Sequence, residues 1–193
     1  QLAEAAGVNQ SAIPYHFGGK QGVYLAVAEH VVALNASLVG PILAAAKARA
    51  GDGSAEAAAE ALHQATVAMA RIALDSGYRD VWMIFMAREQ FYPSAAFERI
   101  YEEISAPLHG LAAELIGRVL GQPAEAAETI LMAHAYLGQI LGFVAARGSL
   151  ERWLESTGNA RIHEVEAAVA AIGRLSRMTI AGMMVERRGL TGA

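Results

Sequence analysis

The sequence predicts an all-α protein, and three observations carry that expectation. No stretch sustains the apolar–polar alternation of a half-buried strand. Glycine, proline and capping residues fall at helical spacing. The 54% apolar fraction is mostly Ala, Leu, Val, Ile and Met, which apart from the β-branched minority suit helices. At 193 residues without cysteine, the chain suits one or two compact domains in a reducing, cytoplasmic setting.

The elements follow in order. Leu2 to Ala6 forms a short helix with Leu2, Ala3 and Ala6 on one side. Gly7 ends it by supplying a left-handed residue, Val8 plugs the angle to the next helix, and Asn9 caps that helix. The second helix runs from Gln10 to about Phe17. Pro14 removes one backbone donor and crowds the Gln10 carbonyl, near enough to the first turn to tighten the start rather than break the helix.

Gly18-Gly19 interrupts the chain, and a long helix runs from Lys20 towards Arg49 with a kink expected at Gly40-Pro41. Further helices are predicted over Ser54–Asp75, over the aromatic-rich Arg79–Phe91, and from a Ser94 cap to Leu120. Gly121-Gln122-Pro123 is a stop and restart, so the next helix is expected over Pro123–Ala146. A short turn of helix around Trp153 precedes the last helix, Ile162–Arg187.

The first two helices read as most of a helix-turn-helix, whose second helix is slim enough for the DNA major groove. The run LAEAAGVNQSAIPYHFGGKQGVY at residues 2–24 resembles the second, third and early fourth helices of TetR/AcrR transcriptional regulators. The Ile13–Phe17 variant, with Arg88-Glu89-Gln90 and Pro93 later, is most similar to the CecR-like branch. The resemblance implies a homodimeric, ligand-responsive DNA-binding repressor that uses no cofactor. It also implies a missing first helix, in roughly 25–30 residues ahead of Gln1. Gln10, Ser11 and Tyr15 would lie nearest base edges, and Tyr15, His16 and Lys20 would hold phosphates. Phe17 is expected to pack within the small domain. The chain then divides into a helix-turn-helix domain over residues 1–40 and a helical ligand-binding and dimerisation domain over 41–193.

Charge is the feature least suited to that reading. The net charge is −4, and Lys20 stands alone among Lys and Arg in residues 1–30 against Glu4 and Glu29. DNA affinity rests largely on neutralising phosphates. Two runs of 18 and 17 residues without formal charge, Thr129–Ala146 and His30–Ala46, approach the ~20 of a membrane span. His134, Gln139, Asn35, Ser37 and Pro41 interrupt them, and no aromatic belt flanks them. Buried helices of a bundle are the better expectation, with no membrane partner.

In the middle of the chain, Trp82, Phe85, Met86, Phe91, Tyr92, Phe97 and Tyr101 crowd a short segment and suggest a mostly apolar ligand chamber. Met69, Met132, Tyr136 and Phe143 would join from neighbouring helices, with Arg88, Glu89, Gln90, His109 and His134 as polar groups. Towards the C-terminus, Ala135, Gly138, Gly142 and Ala145 form a small-residue stripe, and Val165, Val169, Ile172 and Ser176 lie on an apolar seam. Both are expected at a dimer interface, where the resemblance places the last long helices. Catalysis is not expected: Glu60-x-x-His63 has no second such pair, and no phosphate-binding, nucleophile or zinc motif is present. A small-molecule carrier without an operator is the alternative function.

Overall fold

The computed structural model describes Gly7, Asn9, Trp82 and residues 12–51, 53–75, 84–159 and 165–191. The described residues are mostly helical, with no strand among them. We number the helices α1 (Ala12–Phe17), α2 (Lys20–Arg49), α3 (Ala55–Leu74), α4 (Ile84–Phe91) and α5 (Ala95–Ile100). A π turn over Tyr101–Ser105 joins α5 to α6 (Ala106–Leu120), followed by α7 (Ala127–Ala145), α8 (Arg147–Ser156) and α9 (Val165–Thr191). Residues 2–6, Val8, Gln10 and Ser11, the segment 76–81 with Met83, and Ile162 lie outside the described residues.

Local chemistry sets the boundaries. Gly7 has φ 66°, as the predicted turn requires. Ser54 and Ser94 cap α3 and α5 by accepting the N–H groups of Ala57 and Ala96. The helix α2 runs on through Pro41, so the expected kink does not end it, and the proposed domain boundary at residue 40 falls inside continuous helix. The expected single helix from Ser94 to Leu120 is interrupted by the π turn just before Pro107. Proline cannot donate to the carbonyl four residues back and crowds it, and a widened turn accommodates both effects. At the next joint the expected start at Pro123 is displaced to Ala127. Gly121 takes φ 76°, Gln122 N–H bonds back to Gly117, and Pro123 supplies its carbonyl to Ala126 instead of opening the helix.

The core is built on α3, which packs against α2, α6 and α9. Ala58, Ala61 and Leu62 meet Leu115, Ile116 and Val119 of α6, with Ala133 and Tyr136 of α7 and Met183 of α9 in the same cluster. A second cluster ties α2 through Ala28, Val31 and Val32 to Phe85, Ala96, Ile100 and Ile104. A third joins Ala70 and Leu74 to Ile140, Val169 and Ile172. By length and composition α2, α7 and most of α9 could cross a membrane. Their outward faces nonetheless carry Glu29 and His30, Glu128 and His134, and Arg174 and Arg177 respectively, groups costly to hold in hydrocarbon.

Candidate nucleic-acid interface and the link behind it

The short helix α1 holds its polar tips in solvent. Tyr15 is 84% exposed, its ring edge-on to His16, and Lys20 is exposed at the head of α2. Gln10 and Ser11 lie outside the described residues. Phe17 corrects an expectation: it is 46% exposed rather than packed within the small domain. The helix α1 lies chiefly along the start of α2, and that contact leaves the Phe17 ring uncovered. The two helices meet tightly at Gly22, where a Cβ would fall 1.6 Å from the Phe17 carbonyl oxygen. Only glycine fits there without moving backbone.

Two residues further along α2, Tyr24 donates a short hydrogen bond to Oε1 of Glu89 on α4. Glu89 is completely buried, and its Oε2 accepts the Ser94 N–H at 3.0 Å and the Ser94 hydroxyl at 2.8 Å. Burial works against the carboxylate charge, but the bonds from Tyr24 and Ser94, with Arg88 nearby, outweigh it and hold Glu89 below the usual range. Tyr24 is pushed up by burial and by its bond to Glu89. Arg88 stands 5.7 Å over the Tyr24 ring, and Phe85 packs against the same ring. The pattern is legible in the helices: Phe85 and Glu89 share the inward face of α4, and Tyr24, Ala28, Val31 and Val32 share that of α2. Glu89 therefore fastens α2 to α4 and α5 rather than facing a ligand.

The anticipated chamber is divided. Phe85 and Met86 pack in the cluster beneath α2, while Phe91, Tyr92 and Tyr101 are exposed. Tyr136 and Met132 belong to the main core, and Phe143 to the third cluster. Among the described residues a narrow apolar crevice lies between Leu34, Asn35, Leu38 and Val39 of α2, Ile72 of α3, and Trp82, with room for about one water. The buried Trp82 N–H has no hydrogen-bond partner among the described residues. His109 and His134 contact each other and are not among its lining residues.

The predicted interface is also partly corrected. Val169, Ile172 and Ser176 are buried within the chain, because that side of α9 faces α3. Ser176 belongs to a polar chain. Thr66 donates to the Leu62 carbonyl at 2.7 Å, so it accepts from Tyr136 at 3.0 Å; Tyr136 then accepts from Ser176 at 2.6 Å, and Ser176 from His63 Nδ1 at 3.1 Å. This is the direction in which every contact carries a proton. His63 is pushed down by burial and by Arg177, which fits a neutral imidazole donating from Nδ1. Thus His63 is a core group, not half of a metal pair with Glu60. The small stripe is outward: Ala135, Gly142 and Ala145 are exposed and Gly138 is half-buried. Leu131 and Leu141 accompany it, and Val165, Leu175, Met178 and Val185 are exposed on α9.

The family model described as "HTH-type transcriptional dual regulator CecR, C-terminal domain" matches residues 58–183, from the first turn of α3 to the late turns of α9. The chain belongs to this family. The CecR-family stretch holds Glu89, Ser94 and the whole His63-to-Thr66 polar chain, while Tyr24 reaches it from outside. The HTH-type transcriptional dual regulator CecR of Shigella flexneri is 30% identical over 145 residues, covering 74% of this chain. The alignment spans 65% of that relative's length, a little under two thirds.

The sequence pointed to Tyr15, His16 and Lys20 and to the small stripe as exposed groups. It missed the Tyr24–Glu89–Ser94 link and the Ser176 polar chain. A glutamate at the centre of a short apolar face, opposite a tyrosine on the next long helix, was the available signal for the first.

Proposed function

We propose that this CecR-family chain is a cytoplasmic, non-enzymatic transcriptional regulator that binds operator DNA as a homodimer and releases it when a small, mostly apolar effector binds. The observation that carries the reading is the exposed Tyr15, His16 and Lys20 group at the head of α2, which the part-buried Tyr24–Glu89 bond joins directly to the family domain. Support for the DNA role comes also from the relative's description as a transcriptional regulator.

The dimer face consists of Gly138, Gly142, Leu131 and Leu141 on α7 with Leu175, Met178 and Val185 on α9, an unusually apolar exposed set. Two recognition helices so paired fit half-sites about 34–36 Å apart. The effector enters by widening the crevice beside Trp82, whose free N–H selects a ligand carrying an acceptor. A ligand acts only through different affinities for two states of the protein, and widening this crevice displaces α2.

Fluorescence anisotropy with DNA from upstream of the protein's own gene, using the complete protein, tests the reading. Salt-dependent binding at one near-palindromic site, weakened equally on all sequences by Lys20→Ala, is expected. Binding no tighter to that DNA than to scrambled DNA would refute it.

A further inference from the structure

Lys20 stands alone among Lys and Arg in residues 1–30, yet the fold brings a second cation to within a helical turn of it. Arg88 of α4 is exposed, and its guanidinium carbon lies 5.7 Å from the centre of the Tyr24 ring. Tyr24 follows Lys20 by four residues, ~6 Å along the axis of α2 and ~40° around it, so both lie on one side of the helix. Side chains lean towards the N-terminal end of their helix, which carries the Tyr24 ring back towards the Lys20 turn, and Arg88 with it.

What holds Arg88 leaves donors available. Neither Glu89 oxygen depends on it: Oε1 accepts from Tyr24, and Oε2 from the backbone and hydroxyl of Ser94. Arg88 forms no ion pair among the described residues. Nor does it line the crevice beside Trp82. Its neighbour is the Tyr24 ring, within the ~6 Å over which a cation and an aromatic face attract. An arginine anchored on a ring can still turn part of its planar fork of N–H groups to a pair of oxygens, which is how arginine grips phosphate.

We propose that Arg88 binds a backbone phosphate of operator DNA beside the one held by Lys20, which makes the CecR-family domain itself part of the DNA interface. The inference rests on the DNA-binding reading above. Such a contact reads no bases; it sets the register of the head of α2 on the duplex. It also supplies charge that residues 1–30 lack, and DNA affinity rests largely on that charge. Sequence position alone could not announce it, because Arg88 is 68 residues from Lys20 and beside a glutamate.

Fluorescence anisotropy with the complete protein and the same upstream DNA, repeated at several salt concentrations, tests this. Losing one phosphate contact flattens the slope of log affinity against log salt by ~0.9. Between about 50 and 200 mM salt, Arg88→Gln should therefore lose ~3.5-fold less affinity than the parent. Arg88→Lys keeps the charge and should keep the slope. Arg152→Gln, which removes a charge from the exposed side of α8, should also leave it unchanged. Arg88→Met, whose stem still covers the Tyr24 ring, gives the same comparison should Arg88→Gln lose helicity. Replacing DNA phosphates one at a time by neutral methylphosphonates should reveal a position that weakens the parent but not Arg88→Gln. An unchanged slope in the neutral variants, or a methylphosphonate profile identical to the parent's, overturns the assignment while DNA binding itself stands. A flattened slope in Arg88→Lys overturns it as well, since charge would not be what was lost. A parent that prefers this DNA no more than scrambled DNA overturns the DNA-binding reading, and this proposal with it.

Discussion

Replacing Tyr24 by Phe removes one hydroxyl and little else, and the surroundings of Glu89 allow its cost to be worked out. The carboxylate is fully buried and has three donors, of which Tyr24 is the only one on α2. Oε1 would lose its donor without gaining water. A hydrogen bond to a charged group contributes about 1.5–3 kcal/mol, and burial prevents solvent from replacing it. For a chain of this length that corresponds to roughly 3–12 °C in Tm. The pH dependence carries the sharper signature. Glu89 is held below its ordinary range, so the unfolded chain binds its proton more readily. Its contribution is complete above about pH 4.5 and is lost as pH falls through the lowered folded value. Tyr24→Phe weakens the depression, so the acid loss should narrow and the variant should be least handicapped at low pH. Urea unfolding at pH 7 and at pH 4, with helicity as the signal, measures both. Equal midpoints for Tyr24→Phe and the parent chain at pH 7 would refute the reasoning.

Three further outcomes are expected. Ser176→Ala should cost about 1–3 kcal/mol in urea unfolding, since it leaves the His63 N–H without an acceptor in the core; no change would mean that the polar chain is not formed. Because His63 is lowered by burial, the unfolded chain takes up its proton first, so stability should fall as pH drops below about 6.5, and that loss should shrink in His63→Gln. Gly142→Leu should dissociate the dimer, measured by light scattering, without lowering monomer stability, because nothing within the chain lies within 4 Å of the added Cβ; a monomeric parent chain would contradict the proposed dimer.

The sequence made the helices legible because punctuation and apolar spacing are local properties. Which side of a helix faces inward was harder. In α9 apolar residues occupy most of the circumference: Val169 and Ile172 turn inward while Leu175 and Met178 remain outside. No count of apolar positions separates two such stripes. Ser176 could have marked the inward one only if Tyr136 and His63 had been known to converge on it. Glu89 was obscure for a related reason: beside Arg88 it looks like half of a surface ion pair, yet the tyrosine that donates to it is 65 residues distant. The aromatic segment overstated its chamber because Phe91 and Tyr92 lie at the end of α4, past the last turn that the neighbouring helices cover.

The position of the Tyr24 bond gives α2 the mechanics of an unequal lever. Lys20 lies four residues to one side of it and Leu38 of the crevice fourteen to the other, about 6 Å and 21 Å along the helix axis at ~1.5 Å per residue. While Glu89 holds the fulcrum, a sideways push of 1 Å at Leu38 swings Lys20 by only ~0.3 Å the opposite way. Small thermal movements around the crevice are thereby geared down before they reach the Lys20 end. Lys20 gains a larger stroke only if the fulcrum lets go or slides towards the C-terminal end of α2, so the Tyr24 bond and the apolar contacts of Ala28, Val31 and Val32 beside it together set how much of a distant push is transmitted.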